Sequence, residues 1–156
     1  MTIRLSTALR NAMVGTVGFS TALNNGCIEI YSGPQPLTAD APISGTLLGR
    51  VTKDGGGWSE GVATNGLQFD PSANGTIAKK AADAWKFTGL AAGTAGWARF
   101  RANAADAGGD DSGTMTKSRL DMSIGVAGAD LNMPNINITV GAPNTVDVFS
   151  FTLPAA

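Results

Sequence analysis

Beyond Gly26 the chain alternates apolar and polar residues almost one by one. In RLDMSIGV, residues 119–126, Leu120, Met122, Ile124 and Val126 fall in one phase, with Asp121, Ser123 and Gly125 in the other. NINITV, residues 135–140, repeats this with Ile136, Ile138 and Val140 against Asn135, Asn137 and Thr139. A period of two places successive side chains on opposite faces of a strand, one toward a core and one toward solvent or a partner. Further strand-like runs cover 27–32, 45–52, 66–70, 75–80, 84–90, 95–102 and 145–153, separated by turn signals such as DGGGW, ATNG, PSANG and AGGDDSG. In the last run Val146 and Val148 share one phase and Phe149, Phe151 and Leu153 the other, which predicts a bulge or a strand buried on both faces. Short strands at this spacing predict an all-β, antiparallel β-sandwich. Its core should include Leu120, Met122, Ile124, Ile136, Ile138, Phe149 and Phe151.

The pattern differs at the start. Leu5, Ala8, Leu9, Ala12 and Met13 recur at helical spacing, which predicts a helix over 3–14, capped by Thr2 or Ser6 and stopped by Gly15. The chain therefore divides into an N-terminal helix or arm, 1–25, and a single sandwich domain, 26–156. An amphipathic helix this short is marginal alone in water and must pack on something, either its own sandwich or another protein. The arm reading is preferred.

With 156 residues and a 43% hydrophobic fraction, one domain with a substantial core is expected. Charged residues make up 15%, below the usual quarter, as suits a protein that lives against other protein. A net charge of −1 with no basic stripe argues against nucleic acid. The start is too diluted by Gly15, Thr16, Gly18 and Ser20 for a secretion signal, and no apolar run reaches membrane-spanning length. Cys27 is the single cysteine, so there is no internal disulfide, and it should pack as a small apolar residue.

With no histidine, the chain has no Ser-His-Asp triad, no Cys-His dyad and no imidazole metal site. The P-loop pattern is absent too, and no glycine-rich run leads from a strand into a helix. Asp106, Asp110 and Asp111 in ADAGGDDSG offer oxygens to calcium but lack EF-hand spacing, so a solvated turn is preferred. The only glutamates, Glu29 and Glu60, would need a shared cleft to act as a glycosidase pair, with Trp58, Trp85 or Trp97 as sugar platforms. Packing explains Trp85 and Trp97 better. In WARFRA, Trp97, Arg99 and Arg101 share one strand face, set either to hold a partner's carboxylates or to lie as a surface row.

Four stretches, IRLSTALRNAM, IEIYSGPQP, GTLLGRVT and DVFSFTLP, together resemble a group of small tailed-bacteriophage virion proteins, some of them capsid decoration or cement proteins. The resemblance implies a jelly-roll-like sandwich with a structural, non-enzymatic role and no cofactor. It implies a place on the outer capsid surface of the virion, with the major capsid protein as partner and assembly in the bacterial host cytoplasm. Self-association is expected, a homodimer before a trimer. The partner-facing residues would be Ile3, Arg4, Leu5, Leu9, Arg10 and Met13 on the arm, and Trp97, Arg99 and Arg101 on the strand. Pro34, Pro36 and Pro42 would join them, because they stiffen the 33–46 loop and reduce the entropy lost on docking. Alternatively those prolines only turn a crossover between sheets. The competing roles are a tail or baseplate component and a carbohydrate-binding sandwich module.

Overall fold

The computed structural model describes residues 3–155. In chain order the elements are β1 (Arg4–Leu5), α1 (Thr7–Val14), α2 (Phe19–Leu23), β2 (Cys27–Ser32), β3 (Leu47–Lys53), β4 (Thr76–Ala78) and β5 (Trp85–Thr88). They continue with β6 (Gly93–Arg101), β7 (Arg119–Gly125), β8 (Leu131–Asn132), β9 (Asn137–Ile138), β10 (Pro143–Val146) and β11 (Ser150–Thr152). The mostly β architecture read from the alternation holds, with an antiparallel sheet ordered β1-β7-β6-β2-β3-β5-β10 and a small β11-β4 pair. The short β8 is the exception, pairing parallel to β7, while β9 joins the start of β6.

The apolar face of the large sheet carries Ile28 and Ile30 of β2, Val51 of β3, Ala98 and Phe100 of β6, and Leu120 and Met122 of β7. Leu9 and Leu23 of the two helices, Ile77 of β4 and Phe151 of β11 belong to the same core. Its centre is an aromatic cluster in which Phe69, Trp85, Phe100 and Phe149 lie within 5.4–6.2 Å of one another by ring centroid. Gly49 has no side chain for a local reason. A Cβ there would lie 2.1 Å from the Phe87 ring.

Three sequence expectations are corrected. Residues 4–5 form a strand, not the first helical turn. They pair with Leu120 and Asp121, and buried Ser6 then caps α1 by accepting the Leu9 N–H at 3.2 Å. Thr2, the other candidate cap, lies outside the described residues. A second helix, α2, was not expected, although Phe19, Ala22 and Leu23 carry its spacing after Gly18. The phase shift in 145–153 is neither a bulge nor a doubly buried strand. The chain leaves the large sheet after Val146, exposes Val148, and enters the small pair at Ser150.

Candidate functional site

On its second face the large sheet is built from charge. The cross-strand register places Arg4, Asp121, Arg99, Glu29 and Arg50 side by side across β1, β7, β6, β2 and β3. Signs alternate along the whole row, so each neighbour pair attracts. Arg99 binds Asp121 with two parallel bonds, Nε–H to Oδ1 at 2.7 Å and Nη2–H to Oδ2 at 2.8 Å, and both residues are fully buried. Glu29 accepts from Arg50 Nη2–H at 2.9 Å and from the Tyr31 hydroxyl at 2.8 Å.

The adjacent row sets Arg101 opposite Arg119, a repulsive pairing if left bare. Loops supply the missing acids. Asp106 accepts from Arg119 Nε–H at 2.7 Å and Nη2–H at 2.6 Å, and Glu60 accepts from Arg101. Trp58 lies under both Arg50 and Arg101, at 5.5 and 5.2 Å from its ring centroid.

Two long loops roof this face. The proline loop, 33–46, is held from below by main-chain carbonyls: Arg99 Nη2–H donates to Ala41 O at 3.1 Å, and Trp97 Nε1–H to Ser44 O at 3.3 Å. Arg119 Nη1 reaches the carbonyls of Ala39, Asp40 and Ala41, and Arg4 donates to Pro36 O. From the side, Asp40 accepts from the Thr7 N–H and hydroxyl at 3.0 and 2.8 Å. The second loop, 102–118, is laced to the first by Ile43 N–H to Gly108 O at 2.9 Å and Asp111 N–H to Asp40 O at 2.8 Å. Gly45, at φ +82°, closes the proline loop where a Cβ would run into Ser32 O. The prolines thus belong to a clamped cover.

Burial and charge pull the titrating groups in opposite directions. Burial raises Asp121 above the ordinary carboxylate range despite its arginine. It would raise Asp106 as well, but the Arg119 guanidinium and the Gly108 N–H hold that carboxyl below its usual value. Hydrogen bonding to Arg101 lowers Glu60, the wrong direction for a general acid. Tyr31 is raised by burial and by Glu29, and the Cys27 thiol is pushed up to about 12, mainly by burial.

Several sequence expectations change here. Trp97, Arg99 and Arg101 do share a strand face, but all three are buried under the loops and are not presented to a partner. Leu9 is core, Leu5 and Met13 pack partly buried against it, and Arg4 is tied to the proline loop. Residues 4–14 are therefore part of the fold, not a free arm. Of the named arm residues, Ile3 and Arg10 are exposed. The aspartate loop is not the freely solvated turn expected of it, because two of its three carboxylates are buried. Asp106 is committed to Arg119, Asp111 accepts from Thr114 and Lys117, and only Asp110 is exposed. Among the described residues no three potential ligands gather to hold a metal.

The outer side of the proline loop reaches solvent, as does much of the second loop. Pro34, Pro42 and Ile43 are exposed, Pro36 is half-buried, and Leu37 at the tip is 87% exposed. The sequence marked the loop through its prolines. Leu37 carries no such mark, because its run has no alternation to say which way it points. The chain matches no protein-family profile, no curated protein and no solved structure.

Proposed function

We propose that this protein is a structural bacteriophage virion component, a decoration protein that binds the outer surface of the major capsid protein lattice and stabilises it without catalysis. One observation carries the reading: a large apolar side chain, Leu37, stands almost fully exposed on a loop that is otherwise immobilised from below. A loop already ordered in the free protein loses little entropy when it docks, so an exposed anchor on it binds more tightly than the same residue on a mobile loop. Three of the stretches that resemble phage virion proteins, 3–13, 28–36 and 45–52, meet at this place. Arg4 and Thr7 hold the loop, and Glu29 and Arg50 complete the charge row beneath it.

The test uses capsids of the encoding phage assembled without this protein. Added wild-type protein should fill a regular set of shell positions by cryo-electron microscopy and raise the temperature at which capsids open. Leu37→Asp should fold with unchanged melting temperature yet bind about tenfold more weakly, a loss of about 1.4 kcal/mol. Density on the tail or baseplate with a bare shell would reject the assignment.

A further inference from the structure

Asn-Gly pairs stand at 25–26, 65–66 and 74–75, and in each the asparagine sits in the left-handed region, at φ +61°, +59° and +51°. Such a pair is chemically labile, because glycine offers its main-chain nitrogen to the asparagine amide with no Cβ to shield it. The pairs differ in what holds them. Asn25 Oδ1 accepts from Gln68 Nε2–H at 3.2 Å, and its carbonyl accepts from Trp58 Nε1–H and Asn103 Nδ2–H. The Asn25 N–H donates to Leu67 O at 2.9 Å, and buried Gly26 gives its N–H to Leu23 O at 3.1 Å. Asn65 Nδ2–H donates to Gly57 O at 2.7 Å, and buried Gly66 gives its N–H to Ala63 O at 3.1 Å.

Asn74 has none of these ties. With Gly75, at φ +73°, it forms a two-residue turn of the I′ kind between Ala73 and Thr76, which exchange both main-chain hydrogen bonds at 2.9 Å. Both turn residues are exposed. Among the described residues the Asn74 amide makes no hydrogen bond and the Gly75 N–H finds no acceptor. The electrophile and the nucleophile are therefore adjacent, in water and unengaged. Beyond the Ala73–Thr76 pair the turn is held by Gly75 O, which accepts from Leu153 N–H at 2.9 Å. An exposed tip with so few bonds opens locally far more often than a buried segment does.

We infer that Asn74 is a self-modification site, deamidated by its own main chain, while Asn25 and Asn65 are spared. The Gly75 nitrogen bonds to Asn74 Cγ, the Cγ–Nδ2 bond breaks, and Nδ2 leaves as ammonia with the Gly75 proton, which closes a succinimide ring. Water then opens the ring. Cleavage of the new Cγ–N bond gives aspartate on an intact main chain. Cleavage of the original peptide bond gives isoaspartate, whose main chain is one carbon longer. Either product adds a negative charge to the turn at neutral pH. Isoaspartate also breaks the turn, since the I′ geometry depends on two residues of normal length. Gly75 O then loses its place beside Leu153 N–H, and the end of β11 at Thr152 loosens from β4. This site goes beyond capsid attachment and does not depend on it.

The test ages the full wild-type chain in mildly alkaline buffer and maps it by electron-transfer tandem mass spectrometry. That readout locates each change from amide to acid and separates isoaspartate from aspartate. In the folded chain Asn74 should convert about tenfold faster than Asn25 or Asn65, because opening at the buried pairs is the rarer event. In urea the three rates should converge, since nothing then shields one pair more than another. Amide exchange at Leu153 should quicken in the aged chain but not in fresh Asn74→Asp, which carries the acid on a normal main chain and tolerates the left-handed region. Conversion at Asn25 or Asn65 as fast as at Asn74 in the folded chain overturns the inference. So does an Asn74 that stays intact when folded yet reacts in urea, because the turn then shields it as well as burial would. Unchanged Leu153 exchange in a chain rich in isoaspartate overturns the loosening of β11.

Discussion

Asp121 and Arg50 belong to one charged row and differ in what their removal costs. Asp121 is fully buried against Arg99, so Asp121→Ala strands a guanidinium out of water and should cost about 3–5 kcal/mol in urea unfolding. Arg50 is 35% exposed beside Glu29, and Arg50→Ala should cost about 0–1 kcal/mol, since solvent screens the pair. Acid sensitivity has a sign set by Asp106. Its folded pKa is depressed, so the stability it supplies is complete above the unfolded value near 3.8 and drains as pH falls through the folded one. Asp106→Asn should therefore be less stable than wild type at neutral pH, and the gap should shrink below pH 3.8 in thermal melts. Asp121 runs the other way. Its raised pKa means that protonation relieves part of its burial penalty in acid.

At the scale of elements, the N-terminal segment decides between two designs. A docking arm could be cut away without harm, but β1 pairs with β7, Ser6 takes the Arg119 N–H at 2.9 Å, and Leu9 is in the core. Deleting residues 1–14 should accordingly lower the melting temperature sharply. Leu9→Ala alone should cost about 2–5 kcal/mol, measured by chemical denaturation. An unchanged melting temperature after the deletion would restore the arm.

Taken whole, the molecule is a sheet with two unlike covers: helices, the β11-β4 pair and aromatics on one face, and two hydrogen-bonded loops on the other. Arg119 joins the loops, reaching Ala39–Ala41 in the first and Asp106 and Gly109 in the second. Arg119→Met should release both together. Amide hydrogen exchange should quicken at Ile43 and Asp111, with Ile28 and Ile30 still protected by β3 and β6. The sheet edges are poor docking strips for a second copy, since β1 has two residues and β10 opens with Pro143.

Alternation by itself determined the mostly antiparallel β architecture and much of one side of the core. Leu120, Met122, Ile138, Phe149 and Phe151 are buried as expected, whereas Ile124 and Ile136 are only partly buried. Val126 and Val140, in the same phases, are exposed where their strands end. It also put Trp97, Arg99 and Arg101 together on the face opposite Ala98 and Phe100. Whether that face meets water is not a local property. A polar phase means solvent only when nothing covers it, and the cover here comes from residues 33–46 and 102–118, loops with no periodicity to read. Register is equally non-local, and it turns scattered Arg4, Glu29, Arg50, Arg99 and Asp121 into one row of alternating sign. The tertiary structure therefore decided that the charges hold the protein together beneath the loops and that Leu37 stands outside them, because desolvated pairing depends on which strands lie side by side.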